Sequence, residues 1–342
     1  MSLSGAAREH CFAVPALDGP ITGGTLYNRE LLAALRTLSD VRLLDLSTGR
    51  CPEAAALPLI WVDSLYLREL PALRGASSGK LGLIVHYLPS FVRYGRETSR
   101  AELSPEERAA LAAADAFLVT SAFMRGALEA LVAPNQKPIL VVEPGTHAAL
   151  APAPPLASAE LRVITVGNVV DGKGIEPWLG ALNAVLSAGD RLKIWIIGSL
   201  SAEPEYAERC QALVRRSPEL AVRVTFLGPL SEPETLAWLA RGDLFASASR
   251  MESYGIALSE ARVVGLPILA CAGGNAAAHV DPEAGGELVP EPTALARACL
   301  ALARAPALCG ERRAKARARA PLGRPWLAAA REFTAQLALW EK

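Results

Sequence analysis

The sequence predicts an α/β protein of two Rossmann-like domains, each around a parallel sheet of about six strands. Three observations carry the prediction. Short apolar runs, many with β-branched residues, recur along all 342 residues. Helical stretches lie between them, as the right-handed crossovers of a parallel sheet require. A stretch without periodicity, ALAPAPPLASAE at 149–160, divides the runs into two sets of six. Strands covered on both faces read as continuous apolar runs rather than as alternation.

In the first half the runs are CFAVPA (11–16), VRLLDL (41–46), PLIWVD (58–63), LGLIVH (81–86), DAFLVT (115–120) and PILVVE (138–143). In the second they are LRVITVG (161–167), LKIWIIG (192–198), VRVTFLG (222–228), DLFASAS (243–249), LPILACA (266–272) and GELVP (286–290). NRELLAALRTL and PETLAWLARG are examples of the helices between them. The expected limits are a first domain over 1–150, a linker over 151–160, a second domain over 161–322, and a final helix within 323–342. The basic run before that helix, RAPALCGERRAKARARAPLGRPW, reads as a solvated helix face sooner than as a surface for an anionic partner.

Hydrophobic residues make up 51% of the chain and charged ones 20%, the balance of a globular protein with sizeable cores. Lys and Arg number 35 and so do Asp and Glu, so no basic excess points to nucleic acid. The six cysteines show no Cys-x-x-Cys spacing and only four histidines accompany them, which argues against a zinc site and against a disulfide framework. The N-terminus lacks a basic and then apolar leader, and no run of about 18 apolar residues occurs. The expectation is a cytoplasmic protein, and its wealth of Ala and Arg suggests a GC-rich bacterial genome.

Glycine-bearing turns follow several runs. In PITGGTLYNRELLAAL (20–35), Gly23 and Gly24 are expected to precede a helix and to let backbone N–H groups approach a ligand. A tight turn explains a lone Gly-Gly as well. No Gly-x-Gly-x-x-Gly occurs, which leaves a nicotinamide site in the first crossover unsupported. In TVGNVVDGKGIEPWLGAL (165–182), Asn168 and Lys173 lie on a turn at a strand's carboxyl end, where ligands of parallel sheets bind. Lys173 suits a phosphate as a point charge.

In SRMESYGIALSEARVVGLPILA (249–270), Ser253, Tyr254 and Gly255 lead into a helix near Ile256. The free N–H groups at its tip form an anion site, and Gly255 clears the approach. Glu260 lies four residues past Ile256, roughly on the same face and about 6 Å along the axis. A ribose joined to a phosphate at the tip would reach it with two hydroxyls. Glu252 stands before the tip, placed to accept from a sugar hydroxyl. CAGGNAAAHV (271–280) puts Gly273 and Gly274 at another carboxyl edge. In the first half, His86, Ser121, Arg125 and Glu143 stand at or just past strand ends.

Together these motifs resemble family 4 of the retaining GT-B glycosyltransferases. VGNVVDGKG looks like the family's donor-phosphate turn. ESYGIALSEARVVGLPILA looks like its Glu-x7-Glu signature, with Glu252 and Glu260. Gly23-Gly24, EPGTH at 143–147 and Gly273-Gly274 fall in the family's order and spacing. The resemblance implies two Rossmann-like domains facing a cleft, with a nucleotide-sugar donor chiefly on the second and an acceptor on the first. Lys173 would hold the diphosphate and Glu260 the ribose. Glu252, with backbone groups at Ser253 to Ile256, would hold the donor sugar, and His86 would approach that sugar from the first domain. The final helix would cross back to the first domain.

The implied reaction retains configuration by front-face attack, the acceptor hydroxyl passing its proton to the leaving phosphate. No Asp-x-Asp occurs, which argues for Lys173 and the helix tip, and not a metal, stabilising that leaving group. No cofactor is expected beyond the nucleotide sugar itself. Two departures stand out: Asn168 where the family usually has Arg, and no Glu soon after Gly274. Other readings are a nucleotide-sugar epimerase or phosphorylase of the same fold, and a non-catalytic nucleotide-sugar sensor. The acceptor is open among saccharide, small molecule and lipid-linked classes. Arg93, Arg96 and Arg100 leave peripheral membrane contact open, with a solvated loop as the default.

Overall fold

The computed structural model describes residues 9–19, 21–46, 52–133, 136–146 and 160–340. The expected linker, except Glu160, lies outside the described residues. The chain divides into two compact units: the residues up to 147 with Arg324–Lys342, and Ala148–Gly323.

The first unit holds a parallel sheet of β1 (Glu9–Ala13), β2 (Asp40–Leu44), β3 (Leu59–Asp63), β4 (Lys80–Val85), β5 (Ala116–Val119) and β6 (Ile139–Val141), ordered β2-β1-β3-β4-β5-β6. Every predicted run carries one strand. The first starts earlier than expected and stops at Ala13, two residues before Pro15, whose missing N–H cannot extend a ladder. The helix Gly23–Leu35 corrects one expectation. Gly23 and Gly24 do not precede it but form its first turn, because Thr22 is the N-cap and exchanges a capping box with Thr25.

That helix buries Tyr27, Leu31, Leu32 and Leu35 against Phe12 and Trp61. The C-terminal helix Trp326–Trp340 adds Trp326, Phe333 and Leu337 to the same core. Each such side chain contributes about 1.5–3 kcal/mol by leaving water. Tyr27 donates its hydroxyl to Val142 O at 2.9 Å. The Gln336 amide lies along β6: it donates to Val141 O at 2.7 Å and accepts from Val141 N at 3.0 Å. A side chain thus supplies the hydrogen bonds a further strand would make at this sheet edge.

The second unit holds β7 (Leu161–Val166), β8 (Leu192–Ile197), β9 (Val224–Gly228), β10 (Leu244–Ser247), β11 (Ile268–Cys271) and β12 (Glu287–Val289), ordered β12-β11-β10-β7-β8-β9. All pairs are parallel. The chain winds outward from β7 through β8 to β9, then returns to lay β10 on the other side of β7. The connections after β7 and β10 therefore leave in opposite directions, and a crevice opens at their carboxyl ends. In the first unit the same reversal falls between β1 and β3.

The basic run is not simply solvated. Arg313 pairs with Asp243 at 2.6 Å, Arg312 with Glu287 at 2.9 Å, and Arg319 with Asp281 at 3.1 Å and Glu283 at 2.5 Å. Acids elsewhere in the same unit, distant in sequence, take up these cations. Among the described residues no helix is long and apolar enough to cross a membrane.

Candidate active site

At the carboxyl end of β7 the chain turns through Asn168 to Gly174 into the helix Ile175–Val185. Gly174 has φ +63°, and a Cβ there would lie 2.2 Å from Ala248 O, so this turn rests directly on the chain leaving β10. Lys173 reaches across: its Nζ lies 2.6 Å from Glu252 Oε1. Arg250 N donates to Gly172 O at 2.9 Å, and its guanidinium pairs with Asp171. Asn168 accepts from Ser199 N at 3.0 Å, so its amide ties this turn to the end of β8.

The loop after β10 is held from behind. Glu252 N donates to Gly273 O at 3.3 Å and Glu252 O accepts from Asn275 N at 2.7 Å. A Cβ on Gly273 would lie 2.1 Å from Arg250 O, and one on Gly274 2.3 Å from Glu252 O. This Gly-Gly permits close backbone packing, a role the sequence did not suggest for it. Tyr254 O accepts from the Asn275 amide at 2.8 Å and from His279 Nε2 at 2.7 Å, and the Tyr254 and His279 rings meet edge to face at 4.9 Å. The bond fixes the Nε2–H tautomer of His279. Burial lowers the His279 pKa, and its Nδ1 is buried without a partner among the described residues.

Gly255 then adopts φ +94° and opens the helix Ile256–Val264, which has no side-chain N-cap. Its first-turn N–H groups are therefore left for another acceptor. Glu260 stands just over one turn further along, 7% exposed, with no hydrogen-bond partner among the described residues. Desolvation, and secondarily the charge of Glu232, push its carboxyl up to about 8. Lys173 and Glu252 thus meet on the loop that leads to Gly255 and Ile256, and Glu260 lies within the helix that follows. Ser253 and Tyr254 line the loop between.

In the first unit, His86 follows β4. Its Nε2 lies 3.0 Å from Asn28 Oδ1 and 3.2 Å from Asp63 Oδ2, and Asn28 donates to Asp63 Oδ2 at 2.5 Å. All three are buried. Burial pushes the Asp63 carboxyl up, but His86, the Leu65 N–H and the Asn28 amide outweigh it and hold the carboxyl below the usual range. A Cβ on Gly24 would approach His86 Cδ2 to 3.0 Å, whereas one on Gly23 would meet nothing within 4 Å. Ser121 accepts from Met124 N at 3.1 Å as a helix N-cap, and Arg125 pairs with Glu129 at 2.8 Å, both local structural roles. Arg96 pairs with Glu102 at 2.6 Å and Arg100 donates to Ala133 O at 3.1 Å.

Sequence reasoning missed Arg250, Asn275 and His279 in the second unit, and Asn28 and Asp63 in the first. Asp63 ends a predicted strand run at a carboxyl edge, which was a usable signal. Nothing local marks His279, whose partner lies 25 residues away. Among the described residues, no group of three or more His, Cys, Asp or Glu is arranged to hold a metal ion.

Residues 160–305 match the family of glycosyl transferases group 1. A D-inositol 3-phosphate glycosyltransferase of Nocardia farcinica is 34% identical over 151 residues, 43% of this chain and 33% of that protein. One from Segniliparus rotundus is 31% identical over 147 residues, 43% and 32% of the respective chains. The matched stretch thus spans about a third of these relatives. A sucrose-phosphate synthase structure from Thermosynechococcus elongatus has TM-score 0.74 and 22% identity, covering 97% of this chain and 98% of that one. HepE of Anabaena, solved with UDP and glucose, has TM-score 0.76 and 16% identity over 97% and 99%. These likenesses identify the fold as that of the GT-B glycosyltransferases.

Proposed function

From the match of residues 160–305 to the group 1 glycosyl transferases, we propose that the chain moves a sugar from a nucleoside-diphosphate sugar to an acceptor hydroxyl with retention and without a metal. One observation carries the reading: Lys173 pairs with Glu252 on the loop that enters an uncapped helix, and that helix holds Glu260 just over one turn further on. The arrangement suits an extended ligand of sugar, diphosphate and ribose. The diphosphate lies at the tip of Ile256–Val264 and against Lys173. The ribose hydroxyls reach Glu260, and the donor sugar reaches Glu252 and the backbone of Ser253 to Ile256.

In the reaction, the bond from the anomeric carbon to the phosphate oxygen breaks. The acceptor oxygen bonds to the same face, and its proton passes to the departing phosphate. Negative charge grows on that phosphate, and Lys173 with the helix-tip N–H groups stabilises it more as it grows. Arg250, tethered through Asp171 beside this turn, supplies the second cation that Asn168 does not. Lys173 enters this work already paired, so an arriving diphosphate draws it from Glu252 and leaves that carboxylate free for a sugar hydroxyl. UDP-glucose is the first donor to test, because the similar HepE was solved with it. The reading places the reaction in the cytoplasm.

The test is a thermal-shift and calorimetric screen of UDP, GDP, ADP and TDP and their common sugars, with magnesium and with chelator. A ligand at about 100 times its Kd stabilises the native state by about 2.7 kcal/mol. A shift for one nucleotide that is indifferent to chelator, and lost in Lys173→Ala and Glu260→Ala, supports the reading. No shift with any nucleotide overturns it.

A further inference from the structure

We propose that Asp63 and Asn28 are positioning residues that lock His86 as a neutral Nε2–H imidazole, so that its Nδ1 presents a lone pair to a substrate hydroxyl. The inference deepens the proposed transferase reading and rests on it for the identity of that hydroxyl, which belongs to a sugar.

Three contacts define the lock. Asp63 Oδ2 and Asn28 Oδ1 lie 3.2 and 3.0 Å from the same ring nitrogen, Nε2. Both are acceptors toward it, because Asn28 spends its N–H₂ on Asp63 at 2.5 Å. Nε2 must therefore carry a proton, and one N–H is shared between two acceptors. Asp63 is fixed in turn, since its other oxygen accepts from Leu65 N at 2.7 Å.

The ring cannot turn over cheaply. A flip would put Cε1 against Asp63 and strand a carboxylate that is 1% exposed. Its sides are also confined, by Gly24 and by the Tyr27 ring at 5.3 Å. The remaining nitrogen, Nδ1, has no partner among the described residues. The His86 side chain keeps 7% of its surface exposed. The cluster sits at the β1/β3 reversal of the first sheet, where Asp63 ends β3 and His86 follows β4. A buried carboxylate used to choose a tautomer, at a crevice, with the opposite nitrogen left open, is an arrangement for receiving a hydrogen bond.

Nitrogen-15 NMR of the histidine rings in the full chain tests the lock without any substrate, with His86→Gln assigning the signals. The expected pattern at pH 7.5 is neutral Nε2–H for His86, changing to mixed tautomers in Asp63→Ala and returning in the swap Asn28→Asp with Asp63→Asn. A neutral Nδ1–H ring or an imidazolium in the wild type overturns the proposal, whether or not the variants fold. So does a pattern unchanged in Asp63→Ala.

The kinetic arm measures UDP release from UDP-glucose with water as acceptor. Asp63→Ala is expected to lower kcat about 10- to 100-fold, the usual effect of losing an orienting partner. Affinity for UDP itself should stay within twofold, and the swap should recover activity. Parallel loss of UDP affinity and kcat marks a merely structural role and overturns the proposal. A wild type that neither binds nor cleaves any nucleotide sugar counts against the transferase reading instead, and the NMR arm still decides the lock.

Discussion

Lys173 and Glu252, 79 residues apart, form an ion pair of 2.6 Å at the crevice between β7 and β10. Each offsets the charge of the other. A nucleoside diphosphate must compete with Glu252 for the ammonium. Glu252→Gln is therefore expected to bind UDP about 3- to 10-fold more tightly, since a charge-assisted partner of about 1 kcal/mol no longer competes. Turnover should fall at the same time. Calorimetric Kd values beside steady-state rates check this; equal or weaker UDP binding in the variant speaks against the competition.

Glu260 gives a pH signature in the absence of substrate. Its folded pKa of about 8 exceeds that of an unfolded glutamate, about 4.3. The folded state therefore holds a proton that the unfolded state releases, and the stability this contributes is lost as pH rises between those values. Glu260→Gln removes the cost of ionising a buried carboxyl. Its stability relative to the wild type should rise from near parity at pH 5 to on the order of 1–3 kcal/mol at pH 8.5. Urea midpoints at the two pH values measure it. The same variant should bind nucleotide more weakly, the trade expected of a strained functional group.

Three glycines separate by what a methyl group would meet. Gly174→Ala forces a left-handed residue onto Ala248 O and should cost more than about 2 kcal/mol. Gly23→Ala meets open space in a helix and should be neutral or stabilising by up to about 1 kcal/mol. Gly24→Ala presses on His86, so it should lower kcat while leaving UDP affinity unchanged. Denaturant curves and the UDP-release assay separate the three; a Gly24→Ala enzyme of full activity would show that His86 has room to shift.

His279 supports the donor loop from outside it. His279→Ala removes one of the hydrogen bonds to Tyr254 O, and nucleotide affinity should fall about 3- to 10-fold, the equivalent of one hydrogen bond. Its folded pKa is lowered by burial, so the unfolded chain takes up the proton first and stability declines as pH falls below about 6.5. The variant should lose that acid-side decline. Melting temperatures from pH 5 to pH 7.5 distinguish this from a general loss of packing.

Much of this molecule was legible in one dimension. Apolar runs of PLIWVD and LKIWIIG type announce strands covered on both faces, because such strands need no polar alternation. Gly255 reads as clearing the approach to a helix start, though its left-handed φ is known only from the structure, and the spacing of Glu252 and Glu260 about that start suggests a ligand lying along it. These signals are local, carried by backbone geometry and by periodicity within a few residues.

Other features are set by contacts between distant parts of the chain. That Lys173 is paired, that Gly273 serves packing against Arg250, and that cations of the basic run find Asp243, Asp281, Glu283 and Glu287 are consequences of strand order. The Asn28, Asp63 and His86 cluster needs a helix, β3 and the end of β4 to converge on one reversal of the sheet. Surroundings then turn ordinary side chains into unusual ones: burial raises the Glu260 carboxyl, whereas at Asp63 burial is outweighed by His86, the Leu65 N–H and the Asn28 amide, and that carboxyl falls. Residue types and spacing are properties of the chain, but solvation and partners belong to the three-dimensional neighbourhood, and the chemistry of a charged group depends on those.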